Sequence, residues 1–147
     1  MTRTDYAEVT DTDTDVATFI TQHLDSVNLY HLPIKMWVAR HDGTIIALLM
    51  LKTDPYVSID LIVADPDSRP FMRILRLWQI AEVWLIEHNV PIVATSIHNS
   101  RAHFQDLVKR AGFEVVGSEA DNDGKIVETI FAKALHKAKL PLSKTVH

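Results

Sequence analysis

Three side chains that could move a proton stand in or next to apolar runs of the sequence. Asp60 interrupts one run, His98 ends a second, and Glu114 lies in a third. A carboxylate or an imidazole beside a substrate nitrogen can act as a general base, directly or through water. Burial would raise the pKa of Asp60 and suit it to that role, whereas alternation along a strand would place it on the solvent face. For His98 the alternative is helix capping or a surface position.

Three arginines could bind phosphate groups. Arg69, Arg73 and Arg76 are spaced four and three residues apart, which is the spacing of neighbours on one helix face. Guanidinium groups pair with phosphate oxygens through charge-assisted hydrogen bonds. A solvated face of a long helix accounts for the same pattern without a ligand, so both interpretations stay open.

The composition excludes several other chemistries. The chain has 147 residues and no cysteine, which excludes disulfides, thiolate metal sites and cysteine nucleophiles. Its 8 histidines show no H-x-x-x-H or H-E-x-x-H spacing, so we expect no metal site. Ser96 and Ser100 lack the G-x-S-x-G turn of a serine nucleophile. The net charge of -4 gives no reason to expect nucleic-acid binding.

No stretch of the sequence resembles a targeting or membrane segment. The N-terminus is acidic and lacks the basic and apolar regions of a signal peptide. The longest apolar run, residues 44–51, is too short to cross a bilayer. We therefore expect a soluble, cytoplasmic protein that is not secreted and binds no membrane. From Lys133 onward the chain has lysines and no acid, so residues 136–147 form a basic tail that either contacts an acidic partner or is solvated.

Apolar periodicity predicts the elements that must position these residues. Seven strands are expected at residues 6–10, 34–40, 44–52, 56–64, 91–97, 113–118 and 125–134. Three helices are expected at residues 14–28, at residues 68–89 and from a His98-Asn99-Ser100 cap to Ala111. Asp-Gly pairs at 42–43 and 123–124 predict two hairpins.

The order strand-helix-strand-strand-strand-helix-strand-helix-strand-strand predicts an α/β (α+β) fold. We expect one mixed, mostly antiparallel sheet of about seven strands with helices on both faces. The strands at 56–64 and 91–97 flank one helix and should be parallel, with a right-handed crossover. The length fits a single domain, residues 1–135, followed by the basic tail.

Three local motifs accompany this order of elements. A strand ends in Ala64-Asp65-Pro66-Asp67-Ser68-Arg69 before the long helix, and Asn99-Ser100-Arg101-Ala102 opens the next helix. That helix closes with Ala111-Gly112-Phe113-Glu114 before a final hairpin. Over residues 5 to 135, the order and the motifs resemble the GNAT superfamily, the acyl-CoA N-acyltransferases. Divergent chains of this fold and size also occur among bacteriophage proteins, so the resemblance is compatible with a phage origin.

The resemblance implies direct transfer of an acyl group from acetyl-CoA, or another acyl-CoA, to an amine whose identity the sequence does not reveal. The general base would be Asp60, His98 or Glu114. The strand edge would hold the thioester and pantetheine through backbone groups, and basic or amide side chains would hold the rest of the cofactor. The cofactor-binding residues implied are Ile62, Val63, Ala64, Arg69, Arg73 and Asn99.

The chain departs from the family pattern at two places. After Arg69 the family has small residues whose backbone amides hold the pyrophosphate, and here those positions are Pro70, Met72 and Ile74. Many active members have a tyrosine as general acid where this chain has Val108. The alternative is therefore a non-catalytic GNAT-fold structural or interaction protein, for example a phage virion-associated subunit. It would contact a protein partner or a second copy through the 68–89 helix and the basic tail.

Overall fold

The computed structural model describes residues 3–10, 13–23, 34–54, 56–67 and 69–135. Contacts divide the chain into two compact units, Met1–Gln79 and Ile80–His147. The predicted basic tail and the end of the first predicted helix, residues 24–28, lie outside the described residues. The described elements are β1 (Thr4–Glu8), α1 (Val16–His23), β2 (Ile34–His41), β3 (Thr44–Lys52), β4 (Ser58–Ala64), α2 (Pro70–Glu87), β5 (Ile92–His98), α3 (Ala102–Arg110), β6 (Glu114–Ala120) and β7 (Ile126–Ala134).

The first unit is built around an antiparallel meander, as predicted. β1 pairs with β2, β2 with β3, and β3 with β4. The turn between β2 and β3 has Asp42 and Gly43 at positive φ, 50° and 86°, which is the backbone of a two-residue hairpin that favours Asp-Gly. Helix α1 packs its apolar side on one face of this sheet, where Phe19 and Ile20 join a core with Leu48.

A β-bulge interrupts the pairing of β3 with β4. Met50 lies opposite Leu61 and Leu51 lies opposite Ile59, so Asp60 is an extra residue in β4. Because side chains alternate along a strand, the extra residue places Ile59 on the face opposite to Leu61. The bulge explains how an aspartate fits into a strand that is otherwise apolar.

The second unit contains the antiparallel pairs β5–β7 and β6–β7. Helix α3 ends in a Schellman motif, because the Gly112 N–H donates to Lys109 O and the Phe113 N–H donates to Val108 O, both at 3.0 Å. Gly112 has φ +97°, a conformation that favours glycine. A Cβ there would also lie 3.0 Å from Lys133 Cε.

Lys133 is buried, which corrects its assignment to the basic end of the chain. It lies on β7 with 8% of its surface exposed. Its ammonium donates to Ala111 O and forms an ion pair with Glu82 Oε2, both at 2.5 Å. The ion pair joins α2 to β7, and the hydrogen bond satisfies a carbonyl at the C-terminal end of α3. Alternation along β7 required this side chain to point inward, beside the buried Phe131 two residues earlier.

The strand order in the sheet is β1-β2-β3-β4-β5-β7-β6. Over the part of the chain that the structure describes, this is the predicted mixed α/β fold, with seven strands and three helices. One helix start was predicted wrongly: α3 begins at Ala102, after an Arg101 that makes no side-chain capping bond. The expected His98-Asn99-Ser100 cap does not form because those side chains bond to one another and to neighbouring strands. Among the described residues, no helix is both long and apolar enough to cross a membrane.

The buried ion pair yields a prediction about stability. Lys133→Met leaves the Glu82 carboxylate largely buried without its cation, and we expect a loss of about 3 kcal/mol in the free energy of unfolding. The double variant Lys133→Met/Glu82→Leu removes both charges and should recover most of that loss. Urea unfolding of the two single variants and the double variant measures the coupling. Additive losses would show that the two side chains do not interact.

A second prediction concerns acid stability at the start of α1. Asp13 Oδ2 accepts the Thr10 N–H at 2.7 Å, and Arg40 donates to Asp13 Oδ1 at 3.1 Å and to Asp15 Oδ1 at 2.8 Å. The Thr10 hydrogen bond is the main cause that holds the pKa of Asp13 below its ordinary 3.8, with help from Arg40 and against some desolvation. The hydrogen bond from Arg40 to Asp15 in turn raises the pKa of the guanidinium.

Because the folded-state pKa of Asp13 is lowered, its contribution to stability is present above about pH 4 and is lost as the pH falls through the folded-state value. Asp13→Asn should therefore make the free energy of unfolding less dependent on pH between about pH 5 and pH 2. Urea unfolding across that range measures the slope. An unchanged slope would mean that the Thr10 and Arg40 contacts do not favour the ionised carboxylate.

Candidate cofactor and catalytic site

The loop after β4 is held by its own backbone and one aspartate. The Asp65 N–H donates to Ile46 O at 2.8 Å, which keeps the end of β4 against β3. The Asp67 N–H donates to Asp65 Oδ1 at 3.0 Å, which closes an Asx turn. The Asp65 side chain thus accepts a hydrogen bond within the loop that leads to Arg69.

Arg69 holds an unusual backbone conformation at the start of α2. Its φ is +57°, and its carbonyl accepts the Arg73 N–H at 3.2 Å. A residue with a Cβ in this left-handed region costs about 1 kcal/mol or more. The loop therefore keeps, with an arginine, a backbone geometry that is usually left to glycine. The Arg69 side chain is exposed.

The three positions that hold small residues in the resembled family differ from one another in this structure. Pro70 begins α2 and supplies no N–H. Met72 is 48% exposed and Ile74 is 3% exposed. Ile74 adds no bulk where phosphates would approach, because its side chain is packed in the core. The bulk at the solvent side of this turn comes from Met72 and from Phe71, which is 44% exposed.

The predicted phosphate-binding arginines are not equivalent. Arg73 is half-buried, and its Nη1 donates to the Tyr6 hydroxyl at 3.0 Å, which ties α2 to β1. Arg76 and Arg69 are exposed. The sequence carried no signal for the Tyr6 contact, because the two residues stand 67 positions apart. Arg69 and Arg76 thus present exposed guanidinium groups to solvent, one just before α2 and one in its second turn.

The predicted residues of β4 lie on different sides of the strand. Asp60 is exposed at the bulge, so the solvent-facing interpretation is correct and the buried one is wrong. Val63 is 7% exposed and belongs to the core that α1 covers. Ile62 and Ala64 are half-buried on the opposite face, opposite Leu49 and Ala47 of β3.

His98 is exposed at the end of β5, and the tautomer of its neutral ring follows from its contacts. Its Nδ1 accepts the Ser100 N–H at 3.1 Å and lies 2.7 Å from Ser100 Oγ. A backbone N–H can only donate, so Nδ1 is the unprotonated nitrogen and the neutral ring carries its proton on Nε2. In this arrangement His98 presents a donor to solvent, whereas a general base would present a lone pair.

Asn99 already bonds to protein through both ends of its amide. Its Oδ1 accepts Thr129 Oγ1 at 2.7 Å and Gln105 Nε2 at 3.0 Å, and its Nδ2 donates to Ile126 O at 3.4 Å. These bonds connect the end of β5, the start of α3 and the start of β7. They give Asn99 a structural role, and its predicted role toward a cofactor stays a prediction.

The remaining candidates in the second unit do not meet His98. Glu114 is exposed at the start of β6, opposite Ala132, whereas His98 lies opposite Glu128. Four positions along β7 separate the two partners, which amounts to about 13 Å. Val108, at the position of the family's tyrosine, is 4% exposed and packs in the core. The structure describes no group of three His, Asp or Glu side chains that could hold a metal ion.

Solved acetyltransferases share this fold. One of the GNAT family from Streptococcus pneumoniae is 14% identical with a TM-score of 0.72, and the match covers 90% of this chain and 100% of that one. An N-acetyltransferase from Staphylococcus aureus is 12% identical with a TM-score of 0.72, covering 90% and 97%. A GNAT family acetyltransferase from Elizabethkingia anophelis, with acetyl-CoA bound, is 12% identical with a TM-score of 0.66, covering 90% and 98%.

No protein-family model and no curated protein matches the chain. Each of these three matches nevertheless covers 90% of its length. Element order, strand order and this coverage lead to one conclusion: the chain has the GNAT fold, in a divergent form.

Proposed function

We propose that the chain is an N-acyltransferase that moves an acyl group from acyl-CoA to an amine. The observation that carries the proposal is the bulge in β4, which leaves Asp60 exposed on a strand that is otherwise apolar. Bulges of this kind are frequent next to active sites, where they redirect one side chain. The similarity to acetyltransferases, one of which has acetyl-CoA bound, supports the same reaction class.

The loop at the start of α2 fits a phosphate-bearing donor through side chains. Pro70 removes one amide donor from the first turn of the helix. The exposed Arg69 and Arg76 supply positive charge near the same turn, and guanidinium groups bind phosphate oxygens strongly. Ile74 is no obstacle because it is buried. We therefore assign the phosphate contacts of the donor to Arg69 and Arg76, and a positioning role to Arg73 through Tyr6.

Acyl-CoA supplies the activated acyl group when it is bound. The role we assign to this chain is proton transfer at the acceptor nitrogen, with the Asp60 carboxylate taking the proton directly or through one water. The nitrogen forms the new amide bond as the thioester bond breaks. The departing thiolate takes a proton from solvent, because Val108 has none to give at the tyrosine position.

A non-catalytic interaction protein is the second candidate, and one observation favours it. Phe71 and Met72 are 44% and 48% exposed in the first turn of α2, where they stand among arginines. Exposed apolar side chains of this size often mark a contact with another protein. Under this proposal, the start of α2 contacts a partner and the chain binds no acyl-CoA.

Titration with acetyl-CoA distinguishes the two candidates. A ligand at a hundred times its Kd raises the free energy of unfolding by about 2.7 kcal/mol, so we expect the melting temperature to rise with acetyl-CoA concentration. Desulfo-CoA, which lacks the thioester but keeps the phosphates, should give a similar rise. If millimolar acetyl-CoA leaves the melting temperature unchanged, the enzyme proposal is wrong.

The arginine assignment has its own test. Arg69→Gly keeps the left-handed backbone and removes the guanidinium, so it should raise the Kd for acetyl-CoA by about tenfold. Arg76→Gln should act in the same direction. The matched control is Arg110→Gln, which removes an exposed arginine from the last turn of α3 and should leave the Kd unchanged. Equal effects of all three variants, measured by calorimetry, would mean that only the net charge matters.

A further inference from the structure

The strand β6 lies at one end of the described sheet. Its pairing partner is β7, and the strand order ends with it. An end strand has backbone N–H and C=O groups that point away from its partner, and these can pair with an added strand. All of its residues except Gly117 are exposed, on both faces. The backbone and side chains of β6 are therefore accessible together.

Large apolar side chains accompany this open edge. Val115 is 57% exposed, Val116 is 62% exposed, and Ile126 at the start of β7 is 56% exposed. Val116 is the extra residue of a bulge, since Val115 lies opposite Phe131 and Gly117 opposite Ile130. The bulge bends the first part of β6, and a second irregularity lies between Glu119 and Ala120, so Gly117–Glu119 is the stretch that pairs regularly and that an added strand can extend.

The β6–β7 hairpin carries an excess of negative charge. Residues 114–128 contain five acidic side chains and one basic side chain, Lys125. Glu119 and Glu128 lie directly opposite one another on β6 and β7. Like charges at directly opposite positions destabilise a sheet. A cation placed beside them would remove that repulsion.

We propose that β6 is a docking edge for an extended, lysine-rich segment of another protein, which binds as an additional strand. The open backbone supplies main-chain hydrogen bonds, and alternate apolar residues of the segment contact the exposed valines. Lysines on the other side of the segment pair with Glu119, and Glu128 on the next strand, where it accepts a hydrogen bond from Ser96 at 3.0 Å, adds to the negative charge there. A second copy of this chain fits the edge poorly, because it would bring the same excess of acidic side chains against itself. The inference is independent of acyl-CoA binding.

The test uses the full chain and a fluorescent peptide of alternating lysine and valine. We expect saturable binding by anisotropy at about 50 mM salt that weakens toward about 500 mM salt. A peptide with glutamate in place of lysine should not bind. A lysine-valine peptide methylated on alternate backbone nitrogens should lose binding, because it cannot pair with the edge. If the methylated peptide binds equally well, strand addition is wrong.

Variants locate the site. Glu119→Lys should raise the peptide Kd by roughly fivefold at low salt. The matched control Glu87→Lys reverses an exposed charge at the end of α2 and should change the Kd little. Glu119→Gln should weaken peptide binding and at the same time raise the free energy of unfolding of the free protein, because the cross-strand repulsion is removed. A glutamate with a purely structural role would not give these opposite effects. An equal loss of peptide affinity in the Glu119 and Glu87 variants would overturn the assignment. Peptide binding that appears only after residues 136–147 are removed would overturn it as well.

Discussion

One buried ammonium group organises the second half of the described structure. Lys133 comes from β7, pairs with Glu82 on α2 and caps the carbonyl of Ala111 at the end of α3. Three elements meet at one charge, and Gly112 beside it has a φ of +97° that favours glycine, with a Cβ there lying 3.0 Å from Lys133 Cε. An isolated buried charge is costly, so the arrangement holds only while all of its partners are in place. The position of the β6–β7 hairpin relative to α3 depends on this contact.

The first half depends on a different constraint, because three irregular backbone features set the course of the chain from β4 to α2. A bulge exposes Asp60, an Asx turn at Asp65 redirects the chain, and a left-handed Arg69 begins α2. Of the three, Arg69 holds a strained conformation, and bulges and strained residues both concentrate at functional sites. Under the proposed function, this loop binds the donor with side-chain charge in place of part of the backbone amides.

Much of the fold could be predicted because its signals are local. The Asp-Gly hairpin at Asp42 follows from turn chemistry, and the helices follow from apolar periodicity. The bulge could not be predicted, because Tyr56–Ala64 is apolar at almost every position and carries no alternation that a shift could break. Lys133 was misassigned because lysine is almost always exposed, and only the far side of the fold reveals its partners. At the candidate site, residue types were visible in the sequence, but the bonds that occupy Asn99 were not.

The extra residue in β4 has a consequence for how the chain can vary. With Asp60 present, Ile59 and Ile62 share one face of the sheet although three positions separate them. Deletion of Asp60 would join Ile59 directly to Leu61 and leave both opposite their present partners, Leu51 and Met50, so the pairing of β3 with β4 would become regular and no side chain would change face. The sheet therefore does not need a residue at position 60. What the extra residue adds to the strand is an exposed carboxylate, placed between two residues whose partners on β3 are adjacent.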